Sequence, residues 1–341
     1  MAVVKANAYG HGAIEVTRSL VRHGILRFAV VSLDEGLALR QAGINTPIVI
    51  LGPLFPEQVA ELLAHQLTPV VSDLGIMPIL SEAVRNLNTA YPIHIKVDTG
   101  MGRLGLRMRD VESLIEKLPL NGPLQLEGLM THLADTDGTE DAATEEQLSA
   151  FRRIVHQIEQ RGRRIPLIHA TNSAGLIRFP HSHFSLVRPG IMLYGYHTLP
   201  KSVPAPALQP VLSLRTTIAQ IRMVEPGGTV SYNRTFVAKR QSRIAVLPIG
   251  YADGYNRRLS NRGMVLVHGH RVPVVGLVCM DMMMVDVTAV PDAQVGDEVI
   301  LIGQQGQEAI WANELAEWTD TIPYEVLCSI GPRVPRVYQT I

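Results

Sequence analysis

The strongest constraint in this chain is a rhythm. Over about the first 200 residues, eight short apolar runs recur roughly 20 to 40 residues apart, separated by amphipathic stretches. The runs cover residues 2–4, 28–31, 47–51, 69–71, 93–97, 126–130, 167–169 and 185–188. Between them, segments such as 13–23, 34–42, 57–65, 110–117 and 144–161 carry apolar residues at helical spacing, often opened by Asp, Ser or Pro. Parallel strands cannot be joined by a tight hairpin and need a crossover, usually a helix, so this alternation predicts a parallel sheet with helices around it. Eight runs is the number that closes a barrel, although an open doubly wound sheet uses the same alternation. The polar residues favour the barrel: Lys5, His132, Asn172 and Arg188 all fall at the C-terminal ends of their runs, the face that carries chemistry in barrels. The expectation is an α/β fold, a (β/α)8 TIM-type barrel over residues 1–205.

The texture then changes. KSVPAPALQP, residues 201–210, is proline-rich and lacks helical period, as a linker does. Beyond it, residues 211–221, 244–249, 264–267, 272–278, 283–287 and 299–302 are strand-like, punctuated by Pro-Gly-Gly, Asn-Arg-Gly, His-Gly-His and Gly-Asp turns. A mostly-β C-terminal domain over 206–341, with one helix around 312–317, is expected.

Composition narrows the function. With 31 basic and 31 acidic side chains, the chain has no cationic excess for a nucleic-acid partner, so a small-molecule site is the better expectation. Two cysteines, Cys279 and Cys328, make neither a disulfide framework nor a metal cluster, which suits a reducing cytoplasm. No stretch approaches the ~18 unbroken apolar residues of a membrane span, and MAVVKANAYGHG is no signal peptide, so a soluble protein is expected.

Lys5 ends an apolar run and is followed by small residues around Tyr9. It reads either as a strand-end lysine reaching solvent or as a desolvated amine suited to Schiff-base chemistry. KVDTGMGRLG, residues 96–105, brings glycines and Arg103 to a strand end, where a planar guanidinium can grip a carboxylate. The loop lacks the spacing of a phosphate-binding P-loop. His132, taken singly, fits a core histidine. Asn172–Ser173 and the turn Arg188-Pro189-Gly190-Ile191 follow the seventh and eighth runs, where barrels often build phosphate sites. The second domain adds Tyr232 in SYNRTF, Tyr251 in GYADGY, and Met280 and Asp281 in CMDMMM. The methionine cluster reads by default as core packing, and a tyrosine becomes an acid or base only where its pKa is brought down from ~10.

As a series, VVKANAYGHG, KVDTGMGRLG, MTHLADTD, HATNSAG, VRPGIMLYG, VSYNRTF, GYADGY, CMDMMMVDV and IPYEVLCSIGPRVPR resemble, in order and over essentially the whole chain, the pyridoxal-phosphate-dependent alanine racemases. The resemblance implies an N-terminal barrel holding the cofactor and a C-terminal β domain that completes the site of a partner subunit in a homodimer. Lys5 would carry the cofactor and act as base on one face of alanine, and Tyr232 of the partner subunit would act on the other. Tyr9, Ser173, Gly190 and Ile191 would hold the cofactor phosphate, with Asn172 beside them. Arg188 would face the pyridine nitrogen, and His132 would link it toward Tyr232. Arg103, Met280 and Asp281 would bind the substrate, and Tyr251 would line its approach. Lys96 matches a family lysine that can be carbamylated to orient Arg103; the alternative is a neutral or surface-reaching lysine beside Asp98. No metal is implied.

Two departures stand out. The family usually has a strand and a helix before its catalytic lysine, so a start upstream of Met1 is expected. Gly331–Pro332 stands where some relatives place a tyrosine, which bears on phosphate affinity and selectivity. A broader-specificity racemase, a non-catalytic pyridoxal-phosphate carrier and a basic-amino-acid decarboxylase are the competing readings. The 130-odd residues after Pro206 argue against the carrier and Tyr232 against the decarboxylase. Making D-alanine for peptidoglycan and consuming it are both compatible with the sequence.

Overall fold

The computed structural model describes residues 1–87, 89–119, 122–200 and 202–339; Lys201, the first residue of the expected linker, lies outside them. The chain forms two compact units. One comprises Met1–Ala8, Gly12–Leu193 and His197–Ala207; the other takes Tyr9–His11, Tyr194–Tyr196 and the chain from Leu208 onward.

The first unit is built on seven parallel strands in sequential order: β1 (Ala2–Val3), β2 (Phe28–Val30), β3 (Ile48–Ile50), β4 (Thr68–Val71), β5 (Tyr91–Lys96), β6 (Leu124–Met130) and β7 (Leu167–His169). Helices cover the sheet, so strands such as β2 and β3 are buried on both faces and read as continuous apolar runs. The helix Leu33–Gln41 shows how local sequence sets a boundary: Ser32 caps its first turn and Glu35 reaches back in a capping box.

The eighth expected strand, 185–188, is not a ladder strand. The amides of Ser185 and Leu186 converge on one acceptor, Ile168 O, at 3.1 and 3.2 Å, and Pro189 has no N–H to offer. The segment nevertheless occupies the eighth position. Arg188 N donates to Thr171 O at 3.2 Å on one side, and Pro189 O accepts from Val3 N at 3.0 Å on the other. The curled sheet is therefore closed by backbone bonds without a regular eighth pair.

The second unit is antiparallel. Strands β8 (Leu214–Thr217), β9 (Gln220–Val224), β10 (Thr229–Val230), β11 (Phe236–Val237), β12 (Ser242–Leu247), β13 (Met264–Val267), β14 (His270–Pro273), β15 (Met283–Asp286), β16 (Glu298–Gln305) and β17 (Glu308–Ile310) form its sheets. One sheet runs β15-β12-β9, a second β14-β13-β16-β17 with β8 also on β16, and β10 and β11 make a hairpin. The single strand expected over 211–221 is two, because the chain changes sheets at Ile218 and Ala219, whose amides bond Asp297 O and Val246 O. The run 272–278 keeps regular pairing only to Pro273, with Val274 in an isolated bridge. The expected helix is Ala312–Thr319, and a further one, Pro323–Cys328, opens on a proline at its first position. No helix among the described residues is long and apolar enough to cross a membrane.

Candidate functional site

Lys5 leaves β1 into a turn of the wrong hand. Ala6, Asn7, Ala8 and Tyr9 have φ of 51°, 53°, 53° and 52°. A left-handed conformation costs about 1–2 kcal/mol per non-glycine residue, so such a run persists only where its surroundings hold it. Glu35 does part of this, its Oε1 accepting from Ala6 N at 2.6 Å and its Oε2 from Val31 N at 2.8 Å. Asn7 Oδ1 accepts from Ala13 N at 2.8 Å and fixes the far side of the turn.

Lys96, at the C-terminal end of β5, is 4% exposed. Burial first, then Arg103 and Arg188, push its amine down to about 8, with Asp98 opposing and Lys5 adding to the shift. His132 is held well below the ordinary histidine range by burial, then by Arg188, Lys96, Arg103 and Lys5. Lys96 and His132, at the C-terminal ends of β5 and β6, both feel Arg103, Arg188 and Lys5, a cationic setting suited to anions. The loop bearing Arg103 is folded by Asp98, whose carboxylate accepts from Gly100 N at 3.0 Å and Gly102 N at 3.1 Å. Gly105, at φ 133°, must be glycine: a Cβ there would lie 2.6 Å from Asp98 N.

Arg188 is 3% exposed, and burial pushes its guanidinium down to about 9. Nη1 donates to His169 Nδ1 at 2.8 Å, and Nη2 to Thr131 O and Ala170 O, each at 2.8 Å, with His132 Nδ1 at 3.3 Å. Beyond it, the buried Ser173 Oγ accepts from Gly190 N at 2.8 Å and Met192 N at 3.4 Å, which leaves the hydroxyl hydrogen to donate. Ile191 is buried in the same turn. Asn172 Oδ1 caps the following helix through Gly175 N at 2.9 Å and accepts from Thr136 Oγ1 at 2.9 Å. Pyridoxal phosphate fits this chemistry. Lys5 offers an amine that could meet its aldehyde, Arg188 a donor-only guanidinium for its ring, and Ser173 a buried hydroxyl for its phosphate.

In the second unit, Tyr232 is 70% exposed in the β10–β11 turn, flanked by Ser231, Asn233 and Arg234 at φ 68°, 58° and 51°. Ser231 Oγ donates to Leu277 O at 2.7 Å, which ties this turn to the loop carrying Met280 and Asp281. Met280 O accepts from Ala252 N at 3.0 Å and Cys279 O from Tyr251 N at 3.0 Å, and Asp281 holds Arg333 Nη2 at 2.8 Å. Met280 and Tyr251 are 53% and 42% exposed, so the expected core packing of the methionines holds for the fully buried Met283 but not for Met280 or Met282. Tyr9 is buried, its ring 4.9 Å from that of Tyr194 and 5.8 Å from that of Tyr324.

Sequence reasoning passed over Arg27, His94, Glu127 and His169, which form a chain behind Arg188 whose two histidines are buried while Glu127 and Arg27 are partly exposed. The available signal was polar residues set in otherwise apolar strands, which cost free energy to bury unless bonded.

The comparisons agree across both units. The alanine racemase N-terminal domain family matches residues 1–198 and the alanine racemase C-terminal domain family residues 211–338. The chain is 44% identical over 339 residues to an alanine racemase of Halothermothrix orenii, covering 99% of this chain and 89% of that one. Among solved structures it is similar to alanine racemase of Clostridium difficile 630, with TM-score 0.91 and 35% identity over 98% of this chain and 87% of that one. It is also similar to alanine racemase from Bartonella henselae with covalently bound pyridoxal phosphate, with TM-score 0.88 and 32% identity over 99% and 92% of the two chains. The chain therefore belongs to the alanine racemases, a family of pyridoxal-phosphate-dependent isomerases.

Proposed function

We propose that this chain interconverts L-alanine and D-alanine in a homodimer, with Lys5 and Tyr232 of the partner subunit as bases on opposite faces of the substrate. Inversion requires two such groups, one removing the Cα proton and the other returning one from the far side. The cofactor, when bound, supplies the electron sink that makes this proton removable. Lys5 would carry it, Tyr9, Asn172, Ser173, Gly190 and Ile191 would hold its phosphate end, and Arg188 and His132 its ring.

The observation that carries the reading is the buried Arg188, donor-only and bonded on both terminal guanidinium nitrogens, beside a neutral His132 and the lysine cluster. A guanidinium has no acceptor and gives up a proton reluctantly, so it would leave the ring nitrogen unprotonated and the electron sink weak. Lys5 or the partner subunit's Tyr232 would then return a proton to Cα before side transamination could compete. Arg103 and the Met280 backbone would grip the alanine carboxylate, with Asp281 holding that loop and Tyr251 at the approach. The exposed Tyr232, held in a strained turn, is presented outward as a residue for another chain's site would be. Two cysteines are too few for a disulfide framework, which suits the cytoplasm.

The test is purified protein with pyridoxal phosphate and L-alanine in D2O, following Cα deuterium and product chirality together. Deuterium uptake with D-alanine supports both bases. Uptake without inversion removes Tyr232 from the reading, and the absence of both uptake and inversion refutes the activity.

A further inference from the structure

Behind Arg188 a chain of hydrogen bonds crosses the first unit. Arg188 Nη1 meets His169 Nδ1 at 2.8 Å; His169 Nε2 meets His94 Nδ1 at 2.9 Å; His94 Nε2 meets Glu127 Oε2 at 3.1 Å; and Glu127 Oε1 meets Arg27 Nη2 at 2.9 Å. Both imidazoles are fully buried, and β5, β6 and β7 supply the three middle members. The direction of every bond is forced. A guanidinium can only donate and an ionised carboxylate can only accept, so each histidine must accept on Nδ1 and donate from Nε2. His94 donating to Glu127 is also the leading influence that holds that carboxyl below its ordinary range, and burial followed by Arg188 and His94 keeps His169 neutral.

The sheet makes room for this chain. Gly128, the register partner of His94 in β6, sits where pairing slips by one residue between Ile93 and His94. A Cβ on Gly128 would lie 2.5 Å from His94 Nδ1 and 2.6 Å from Cε1 and Cγ. A glycine inside a strand weakens it, so a glycine with a bulge at this point marks space kept for the imidazole.

We propose that His94 and Glu127 are remote positioning residues for racemisation: Glu127, ion-paired with Arg27, is the acceptor that sets the polarity of the chain, and the two histidines transmit it as orientation, fixing where the guanidinium of Arg188 aims its remaining donors. The proposal rests on the reading of Arg188 as the group that meets the cofactor ring. Outer partners of this kind typically shift affinity or activity by about 10–100-fold when lost, although neither residue touches substrate.

The test uses full-length protein labelled with 15N-histidine, with and without pyridoxal phosphate, and assigns the signals by His94→Gln and His169→Gln. Both rings should be neutral Nε2–H tautomers at pH 7 in either state. Glu127→Gln should shift the His94 and His169 signals and lower kcat about tenfold with KM little changed. His94→Gln, whose amide can accept and donate as the ring does, should stay close to wild type, whereas His94→Leu should fall with Glu127→Gln. Should Glu127→Gln fail to fold, Arg27→Gln at the more open end should give a smaller shift of the same signals. A charged ring or an Nδ1–H tautomer would overturn the proposal, as would His94→Leu retaining full kcat. A wild-type chain that did not racemise alanine would sink the parent reading, while the tautomers would still decide the polarity of the chain.

Discussion

Gly128→Ala tests the packing beneath the Arg188 chain directly. The added Cβ would lie 2.5–2.6 Å from three atoms of the His94 ring, so ring or strand must move. Overpacking a filled core costs about 1–3 kcal/mol. Displacing the ring leaves His169 Nε2–H without its acceptor, a buried unsatisfied donor worth about another 1–3 kcal/mol. Relief of the glycine's backbone entropy returns about 0.5–1 kcal/mol. The net expectation is a loss of about 1–5 kcal/mol, or a fall of about 2 °C or more in the unfolding temperature of the first unit. Scanning calorimetry of Gly128→Ala, His94→Ala and the double variant measures this. Once the imidazole is gone the alanine should fit, so the cycle should show a coupling of about 1–3 kcal/mol. Additivity within about 0.5 kcal/mol would refute the claim that Gly128 is there for His94.

Four further outcomes follow from the site. Arg188→Glu gives the ring nitrogen a carboxyl partner that can share a proton, so pyruvate formed per racemisation event should rise; an unchanged pyruvate yield counts against the role assigned to Arg188. Lys96 has its amine pushed down to about 8 from 10.5, so between those pH values the unfolded chain binds a proton that the folded chain does not, and stability should rise with pH across that window. Urea titrations at several pH values should show this slope, and Lys96→Met should flatten it. The neutral amine is also the form that reacts with CO2, so a 13C-carbamate signal should grow as pH passes about 8 and be absent from Lys96→Met. Ala6→Gly relaxes one exposed left-handed residue, worth about 1 kcal/mol of added stability in denaturation; a loss of stability would mean that the turn is not strained.

Much of this architecture was readable from periodicity. The strand–helix rhythm and the change to an antiparallel texture after the proline-rich stretch both have local causes in side-chain pattern. The closure at 185–189 was not readable, because two amides sharing Ile168 O is a tertiary arrangement with no local signature. The sheet change at Ile218 is missed for the same reason: an apolar run stays apolar when it moves from one sheet to another. At the site, Lys5, Arg188 and His132 announced themselves as polar strand ends. His94 and His169 lie within or at the end of apolar runs, where a lone histidine reads as packing. Only their juxtaposition, 75 residues apart in sequence, turns two bland residues into a chain.

That chain is an insulator and not a wire. A proton hopping along it would have to enter at a guanidinium that has no lone pair to receive it, and would leave both imidazoles in tautomers facing donors with donors. Whatever protons are exchanged at Cα during turnover stay on the substrate's side of Arg188. The ring hydrogens of His94 and His169 should accordingly keep their isotope through many catalytic cycles, a non-conducting floor beneath a site whose work is moving protons.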